Sequence, residues 1–152
     1  MTAGAELATT VEPPTTGEWG AFLNRPTRRV SDLLRRDVPE QPGVYLWRQG
    51  GQVQYVGKAT SLQSRLWGSH LGRGVTLSGS SLRRNVCELL FGIAPAVTAR
   101  PDPRPVTRDQ ADAIAGWLRA CELSWWECDT SAAAAEVEGR LRLAWLPPLN
   151  RI

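Results

Sequence analysis

Two short segments that each combine a tyrosine with a glycine, Gly43-Val44-Tyr45 and Tyr55-Val56-Gly57, flank a Gly50-Gly51 pair. A glycine pair between two runs of strand-forming residues predicts a tight turn, because glycine adopts the positive φ angles that such turns require. We therefore predict strands over 43–48 and 53–57, joined by a turn at 49–52. This hairpin holds the two tyrosines at a fixed separation, which limits what the rest of the chain can build around them.

The register of the hairpin decides whether the two phenols share a face of the sheet. With a two-residue turn, Tyr45 would pair with Val56 and the tyrosines would face opposite sides. With a three-residue loop, Tyr45 would lie directly opposite Tyr55 on one face. A catalytic surface requires the second arrangement, whereas opposite faces would favour a plain interaction domain. Aromatic pairing that merely stabilises the hairpin would also explain the two residues.

Three basic side chains follow the hairpin. Lys58 is the only lysine, and His70, the only histidine, lies with Arg65 on a helix predicted over 61–71. An ammonium close to a phenol lowers the pKa of the phenol, and guanidinium groups match phosphate oxygens well. The pattern therefore predicts a surface that handles phosphate. Taken alone, Arg65 also fits a solvated surface charge, and His70 fits a capping or core-edge histidine.

The remaining pattern predicts an α/β (α+β) domain with a small three-stranded antiparallel sheet flanked by helices. The helix predicted over 80–91 is expected to bury one side, made of Leu82, Val86, Leu89 and Leu90. We expect a disordered tail at 1–17 and a single domain at 18–152, with an insert at about 72–122. Further helices are predicted near 19–23, 31–36, 80–91, 107–121 and 131–145, and a third strand at 123–128.

Composition narrows the functional classes only slightly. The net charge of +3 does not by itself indicate nucleic-acid binding, and 17 of the 18 basic residues are arginine, as a GC-rich genome would favour. The three cysteines lack the close ligand spacing of a structural zinc site. Neither a secretory signal nor a membrane-length apolar run is visible, so we expect a soluble, cytoplasmic protein without a membrane partner.

The last helix supplies a carboxylate. Glu136 and Glu138 are two residues apart and therefore point to different sides of a helix. Glu138 shares its side with Leu141 and Trp145, which we expect to face the core, and a carboxylate on that side is costly unless it has a role. Glu138 is therefore the candidate functional carboxylate.

These motifs, in this order and spacing, resemble the GIY-YIG nuclease superfamily. The resemblance runs through the two hairpin motifs, Lys58, Leu62, Arg65 and His70, and resumes at Glu138, twelve residues before Asn150 in the Pro147-Pro148-Leu149-Asn150 ending. That last separation is typical of bacterial excision-repair nucleases. The matching blocks cover about 42–71 and 134–150.

The resemblance implies one Mg²⁺ or Mn²⁺ ion with Glu138 as its protein ligand. It implies that Tyr55 is the general base or positions the attacking water, and that Tyr45 holds water or phosphate. The implied reaction leaves a 5′-phosphate and a 3′-hydroxyl.

The resemblance also assigns roles to the basic residues and to the chain ending. Arg65 would stabilise the charge that builds on phosphorus, Lys58 would hold Tyr55 in a reactive state, and His70 would contact phosphate or assist the base. Asn150 would order the site from behind.

The leading hypothesis is a metal-dependent DNA endonuclease in DNA repair, restriction or the processing of branched DNA, with RNA left open as a substrate. The alternative is a nucleic-acid-binding module that keeps the fold but cleaves poorly, although all the expected polar positions are filled.

The segment between Arg65 and Glu138, 72 residues long, exceeds what a minimal domain of this kind needs. It carries Arg73, Arg83 and Arg84 as candidate nucleic-acid contacts, but it could equally be a structural extension. Because no attached DNA-binding motif is visible, specificity is expected from this insert, from a protein partner or from self-association.

Overall fold

The computed structural model describes residues 12–100 and 106–152. Within them, helices cover both faces of an antiparallel sheet with the strand order β1-β4-β2-β3. The strands are β1 (Arg28–Arg29), β2 (Gly43–Gln49), β3 (Gln52–Ala59) and β4 (Glu122–Glu127). The helices are α1 (Gly17–Leu23), α2 (Ser64–His70), α3 (Ser81–Phe91), α4 (Pro95–Thr98), α5 (Arg108–Arg119) and α6 (Ser131–Ala144).

The predicted α+β architecture is confirmed, but the prediction of three strands is wrong. The described sheet has four strands, because Arg28 and Arg29 pair with Leu123 and Glu122 of β4. A two-residue strand with two exposed side chains carries no apolar alternation, so no sequence pattern could reveal it.

The hairpin follows neither of the two registers considered from the sequence. Gly50 and Gly51, with φ angles of +58° and +80°, form a two-residue turn that pairs Gln49 with Gln52. A bulge then shifts the register between Trp47 and Arg48, so that Trp47 pairs with Tyr55, and Tyr45 with Gly57. A bulge adds one residue to one strand, so the side chains of that strand beyond the bulge point to the opposite sheet face from the one the turn alone would give them.

As a result, both tyrosines lie on the same sheet face as diagonal neighbours. Their rings are roughly parallel, with centroids 6.3 Å apart and 27° between the planes. The prediction of a shared face is confirmed, while the prediction that the tyrosines pair directly is wrong.

The two faces of the sheet carry separate cores. Tyr45, Trp47 and Tyr55 pack with the apolar residues of α2, α3 and α5. Val44, Leu46 and Val56 point the other way and pack with residues of α1 and α6. Because β3 lies at one edge of the sheet, elements from the two faces can meet only around that edge or at the strand ends.

The helix predicted at 31–36 is wrong. The structure has two short 3₁₀ turns there, Val30–Asp32 and Arg35–Asp37, with an extended backbone at Leu33 and Leu34 between them. The extended stretch buries Leu33, which is 6% exposed, whereas a continuous helix would change its direction.

Helix α3 begins as predicted, with Ser80 as its N-cap, but its buried side is shorter than expected. Leu82 and Val86 are fully buried, whereas Leu89 and Leu90 in the last turn are 53% and 39% exposed. Helix α5 opens with a capping box, in which the side chains of Thr107 and Gln110 each accept a hydrogen bond from the other residue's backbone N–H.

Part of the expected tail at 1–17 and part of the proline-rich stretch at 101–105 lie outside the described residues. No helix among 12–100 and 106–152 has the length and apolar character needed to cross a bilayer. The three cysteines are free thiols, two of them buried.

Candidate active site

Tyr45 reaches the β3 edge by crossing Gly57. The two residues are cross-strand partners, and a methyl group added at Gly57 would lie 2.3 Å from Tyr45 Oη and 2.4 Å from Cζ. Since real contacts do not come that close, only glycine leaves room for the phenol ring at this position. The glycine of the second motif therefore directs the tyrosine of the first.

The phenol of Tyr45 ends on a buried histidine. Its Oη lies 2.5 Å from His70 Nε2, and His70 Nδ1 lies 2.6 Å from Ser80 Oγ. All three residues are at most 2% exposed. The sequence thus predicted both Tyr45 and His70 as site residues, and the structure joins them by a hydrogen bond.

Helix α2 sets the place of Arg65 relative to His70. The helix has π geometry, and at its end Leu71 N–H donates to Leu66 O at 2.8 Å across five residues. In a π-helix, residues five apart lie roughly one turn apart, so Arg65 and His70 come close to the same side. An ordinary α-helix would separate them further around the axis.

The electrostatics of this group follow from burial. Burial lowers the pKa of His70 to about 3, and the charges of Arg65, Arg83 and Arg84 act in the same direction. The imidazole is therefore neutral at physiological pH. Burial also raises the pKa of Tyr45 well above its usual range; Tyr55 and Glu138 add to this increase, and Arg65 opposes it.

Tyr55 has a different partner from the one predicted. Its hydroxyl lies 2.8 Å from Ser81 Oγ at the start of α3. Lys58 pairs with Val44 and so faces the opposite side of the sheet from Tyr55. The structure therefore does not place Lys58 beside the Tyr55 phenol, because three residues along a strand reverse the facing.

Lys58 instead lines an open cleft of about 560 Å³ at the end of β3. Arg65 of α2 lines the same cleft, and so does the first turn of α6 through Ser131 and Ala132. Two cationic side chains and the positive end of a 14-residue helix make this cleft attractive to a phosphate group.

Glu138 lies further along α6, one turn beyond Ala135 of the cleft wall. It is 9% exposed, and Leu141 beside it is 1% exposed, as predicted for the inner side of this helix. Glu136 is exposed on the outer side. The contribution of Glu138 to the pKa of Tyr45 shows that the carboxylate lies within electrostatic reach of the phenol.

The Glu138 carboxylate suits a single divalent ion. Within residues 12–100 and 106–152 it makes one ion pair, to Arg142 at 3.8 Å, and accepts no hydrogen bond. The same residues contain no group of three or more acidic, histidine or cysteine side chains that could hold a metal. Mg²⁺ commonly binds one or two carboxylates, several waters and substrate phosphates, so one buried carboxylate beside a phosphate cleft fits this ion.

Asn150 holds strand β3 from its open side. Its Oδ1 accepts a hydrogen bond from Val56 N–H, and its Nδ2 donates to Val56 O, both at 2.9 Å. Val56 lies between Tyr55 and Gly57, so this side chain fixes the backbone that carries both. The contact is with the strand backbone, and the role of Asn150 in ordering the site from behind stays a prediction.

The three arginines of the insert that were predicted to contact nucleic acid lie in different surroundings. Arg83 is 3% exposed and donates to Gly74 O at 2.5 Å and Thr76 O at 3.2 Å. Arg84 donates to Ser78 O at 2.5 Å. Both guanidinium groups donate to backbone carbonyls, Arg84 is half-buried and Arg73 is exposed, and the role of the three as nucleic-acid contacts stays a prediction.

Sequence reasoning missed the two serines that contact the site, Ser80 and Ser81. Ser80 was visible only as the start of a helix, and its distance from His70 in space depends on the path of the loop at 71–79. No sequence motif predicts such a contact.

Comparisons with known proteins agree with this geometry. A family model described as the GIY-YIG catalytic domain matches residues 28–151. UvrABC system protein C of Thermus thermophilus is 62% identical over 38 residues, which is 25% of this chain and 6% of that protein. The protein of the same name from Bifidobacterium longum is 61% identical over 39 residues, or 23% of this chain and 5% of that protein. The one from Aquifex aeolicus is 45% identical over 40 residues, or 26% of this chain and 7% of that protein. The alignments thus span only a small part of these relatives.

Proposed function

Because the chain belongs to the GIY-YIG catalytic domain family, we propose that it is a metal-dependent DNA endonuclease that hydrolyses phosphodiester bonds. The observation that carries the proposal is the convergence at the β3 edge. Tyr45 stacks near Tyr55 and contacts the neutral His70, the charges of Arg65 and Glu138 reach its phenol, and Arg65 shares a cleft with Lys58. Family membership alone would leave open whether the polar set is complete.

The cleft provides the binding step. Lys58 and Arg65 line it together with the first turn of α6, and a backbone phosphate seated there would meet positive charge from three elements. Arg65 would also face the negative charge that grows on phosphorus during attack. Fixed cations of this kind supply much of the catalysis in phosphoryl transfer.

In the proposed reaction a water oxygen bonds to phosphorus, the bond from phosphorus to the 3′ oxygen breaks, and a proton is returned to that oxygen. Tyr55 would orient the water, accept its proton or do both, and Tyr45 would hold a phosphate oxygen or the water. Glu138 would hold one Mg²⁺ or Mn²⁺ ion, which supplies Lewis-acid stabilisation of the phosphate oxygens. The products carry a 5′-phosphate and a 3′-hydroxyl.

The biological setting is proposed more broadly. The similarity to UvrABC system protein C supports DNA repair among the roles considered, with restriction and processing of branched DNA as the others. A protein partner or self-association would supply specificity. The three free thiols fit a cytoplasmic location.

A nicking assay on supercoiled plasmid tests the proposal. We expect cleavage with Mg²⁺ or Mn²⁺, no cleavage with EDTA, and resealing of the nicks by DNA ligase, which requires a 5′-phosphate beside a 3′-hydroxyl. Glu138→Gln and Tyr55→Phe should each lower the rate by about 100-fold or more, the scale of losing one catalytic group.

Glu136→Gln is the matched control for Glu138→Gln, because it removes an equal charge two residues away on the exposed side of α6. Its rate should equal that of the wild type. Cleavage that persists in EDTA and in Glu138→Gln would refute the mechanism, and DNA binding without cleavage under any metal would instead support the binding-module alternative.

A further inference from the structure

Two adjacent serines at the start of α3 contact the two site tyrosines, one directly and one through the histidine. Ser81 Oγ lies 2.8 Å from Tyr55 Oη, and Ser80 Oγ lies 2.6 Å from His70 Nδ1. The other ring nitrogen of His70 lies 2.5 Å from Tyr45 Oη. The start of α3 is therefore linked to both phenols.

The direction of the hydrogen bonds that link Ser80, His70 and Tyr45 follows from counting the protons that each group can donate. Among the described residues, Ser80 Oγ has two hydrogen-bond partners, Arg83 N–H and His70 Nδ1. The backbone N–H of Arg83 can only donate, so it cannot receive the Ser80 proton. Two buried hydroxyls, those of Ser80 and Tyr45, compete for the one acceptor nitrogen of the ring, and a buried hydroxyl almost always donates to some acceptor. Among the described residues Ser80 has no acceptor other than His70 Nδ1, whereas Tyr45 lies within reach of Arg65 of the cleft and can donate to a bound phosphate or water, so the ring acceptor goes to Ser80.

The tautomer of His70 follows directly. If Nδ1 accepts a hydrogen bond from Ser80, it carries no proton. A neutral imidazole has one ring proton, which must then lie on Nε2. Burial keeps His70 neutral, since it lowers the pKa to about 3. The Nε2–H group therefore donates to the phenol oxygen of Tyr45, and the hydroxyl proton of Tyr45 is left for an acceptor in the site.

We propose that Ser80 is a positioning residue that holds His70 in the Nε2–H tautomer and so directs the Tyr45 hydroxyl to donate its proton towards the substrate. The tautomer assignment stands on the hydrogen bonds and on the burial that keeps His70 neutral, and it does not depend on the proposed function. Its catalytic consequence, donation to a phosphate oxygen or to water, rests on the proposed nuclease function. Ser80 touches no reacting group and acts through His70.

The loop before α3 is built to keep Ser80 in place. Arg83 and Arg84, one turn into the helix, donate to the carbonyl groups of Gly74, Thr76 and Ser78. These bonds tie the loop to the first turn of α3, where Ser80 is also the N-cap. The insert thus supports the site from behind in this region.

The tautomer can be read by nitrogen NMR of protein labelled with ¹⁵N-histidine. His70 is the only histidine in the chain, so a single pair of ring nitrogens will be observed. We expect a protonated Nε2 and an unprotonated Nδ1 in the wild type and in Ser80→Thr, which keeps the hydroxyl. In Ser80→Ala the Nδ1–H form should become populated. A protonated Nδ1 in the wild type, or spectra unchanged by Ser80→Ala, would overturn the proposal.

Cleavage rates test the catalytic consequence. Ser80→Ala should lower the nicking rate by about 10–100-fold, the range known for hydrogen-bond partners that orient metal-binding histidines, and Ser80→Thr should restore most of it. A rate that is equal in the wild type and Ser80→Ala would contradict the positioning role.

A separate control is needed for the lost N-cap. Thr107→Ala removes a comparable cap from α5, away from the site, and should leave the nicking rate unchanged. The NMR result does not depend on activity, so a failed nuclease proposal would still leave the tautomer assignment standing or falling by itself.

Discussion

Gly57 has a larger effect on the site than its lack of a side chain suggests. Tyr45 lies across it, with the phenol oxygen 2.3 Å from where a Cβ atom would be. The contact involves a ring that is 1% exposed and hydrogen-bonded at its tip, so it cannot move aside freely. The glycine is required here for space, and its φ angle is not of the positive kind.

We therefore predict that Gly57→Ala displaces Tyr45 from His70. The variant should lose about 1–3 kcal/mol of unfolding free energy, as overpacked cores do, and nicking should fall by at least about 10-fold. Urea unfolding and the plasmid assay measure the two effects.

Gly116→Ala is the control for this substitution. Gly116 lies inside α5 with nothing within 4 Å of an added Cβ, so alanine there should stabilise the protein by up to about 1 kcal/mol. If Gly57→Ala were as active and stable as the wild type, the space argument would be wrong.

At the residue scale, sequence reasoning proposed most residues of the candidate site but not the contacts between them. Tyr45, Tyr55, Arg65, His70 and Glu138 were found because their spacing matches a known pattern. The partner of Tyr55 was not, because Ser81 is brought there by a loop whose path no local rule determines.

The facing of the tyrosines shows a second limit. It depends on a bulge that shifts the register between Trp47 and Arg48, and a bulge has no composition of its own. Turn length alone suggests opposite faces for a two-residue turn, so the shared face was an expectation that only the structure could confirm.

At the scale of elements, strand β3 depends on the side chain of Asn150. Both hydrogen bonds to Val56 use the amide, one as donor and one as acceptor. In Asn150→Asp the Nδ2 donor is replaced by an oxygen that would face the Val56 carbonyl oxygen. We predict a loss of about 1–3 kcal/mol in stability, faster hydrogen exchange at Val56 N–H and a lower nicking rate.

Asn24→Asp makes the same chemical change at an exposed asparagine at the end of α1. It should alter stability by no more than about 0.5 kcal/mol. Exchange at Val56 that is no faster in Asn150→Asp than in this control would count against the role of Asn150.

Predictions of whole elements succeeded where a pattern was long and failed where it was short. Helices α3, α5 and α6 carry caps and apolar periodicity over eleven or more residues, and each was predicted close to its observed bounds. The exposed Leu89 and Leu90 show that periodicity identifies an apolar side but not the point at which the neighbouring core ends.

At the scale of the whole molecule, α1 supports the helix that carries Glu138 although it precedes the family match, which begins at residue 28. Trp19 Nε1 donates to Leu141 O at 2.8 Å, and its ring meets that of Trp145 edge-on, with centroids 5.3 Å apart. An exposed ion pair between Glu18 and Arg140, 2.8 Å long, joins the same two helices.

Burial and charge should contribute unequally to this contact. Trp19 is 2% exposed, so Trp19→Ala should cost about 3–5 kcal/mol and reduce nicking by loosening α6. Glu18→Gln should cost less than about 1 kcal/mol, because exposed ion pairs contribute little. Urea unfolding of both variants provides the measurement, and a larger loss for Glu18→Gln than for Trp19→Ala would reverse the assignment.

The two hydrogen bonds between Asn150 and Val56 of β3 also affect how copies of this protein can associate. Exposed sheet edges are templates on which strands of other chains can add, and this is a common route to aggregation. In the described sheet one outer strand, β1, is only two residues long, and the other has the outward N–H and C=O of Val56 already occupied. Another strand would therefore find the middle of β3 occupied at Val56 and only a two-residue strand at β1, which favours self-association through the helical surfaces.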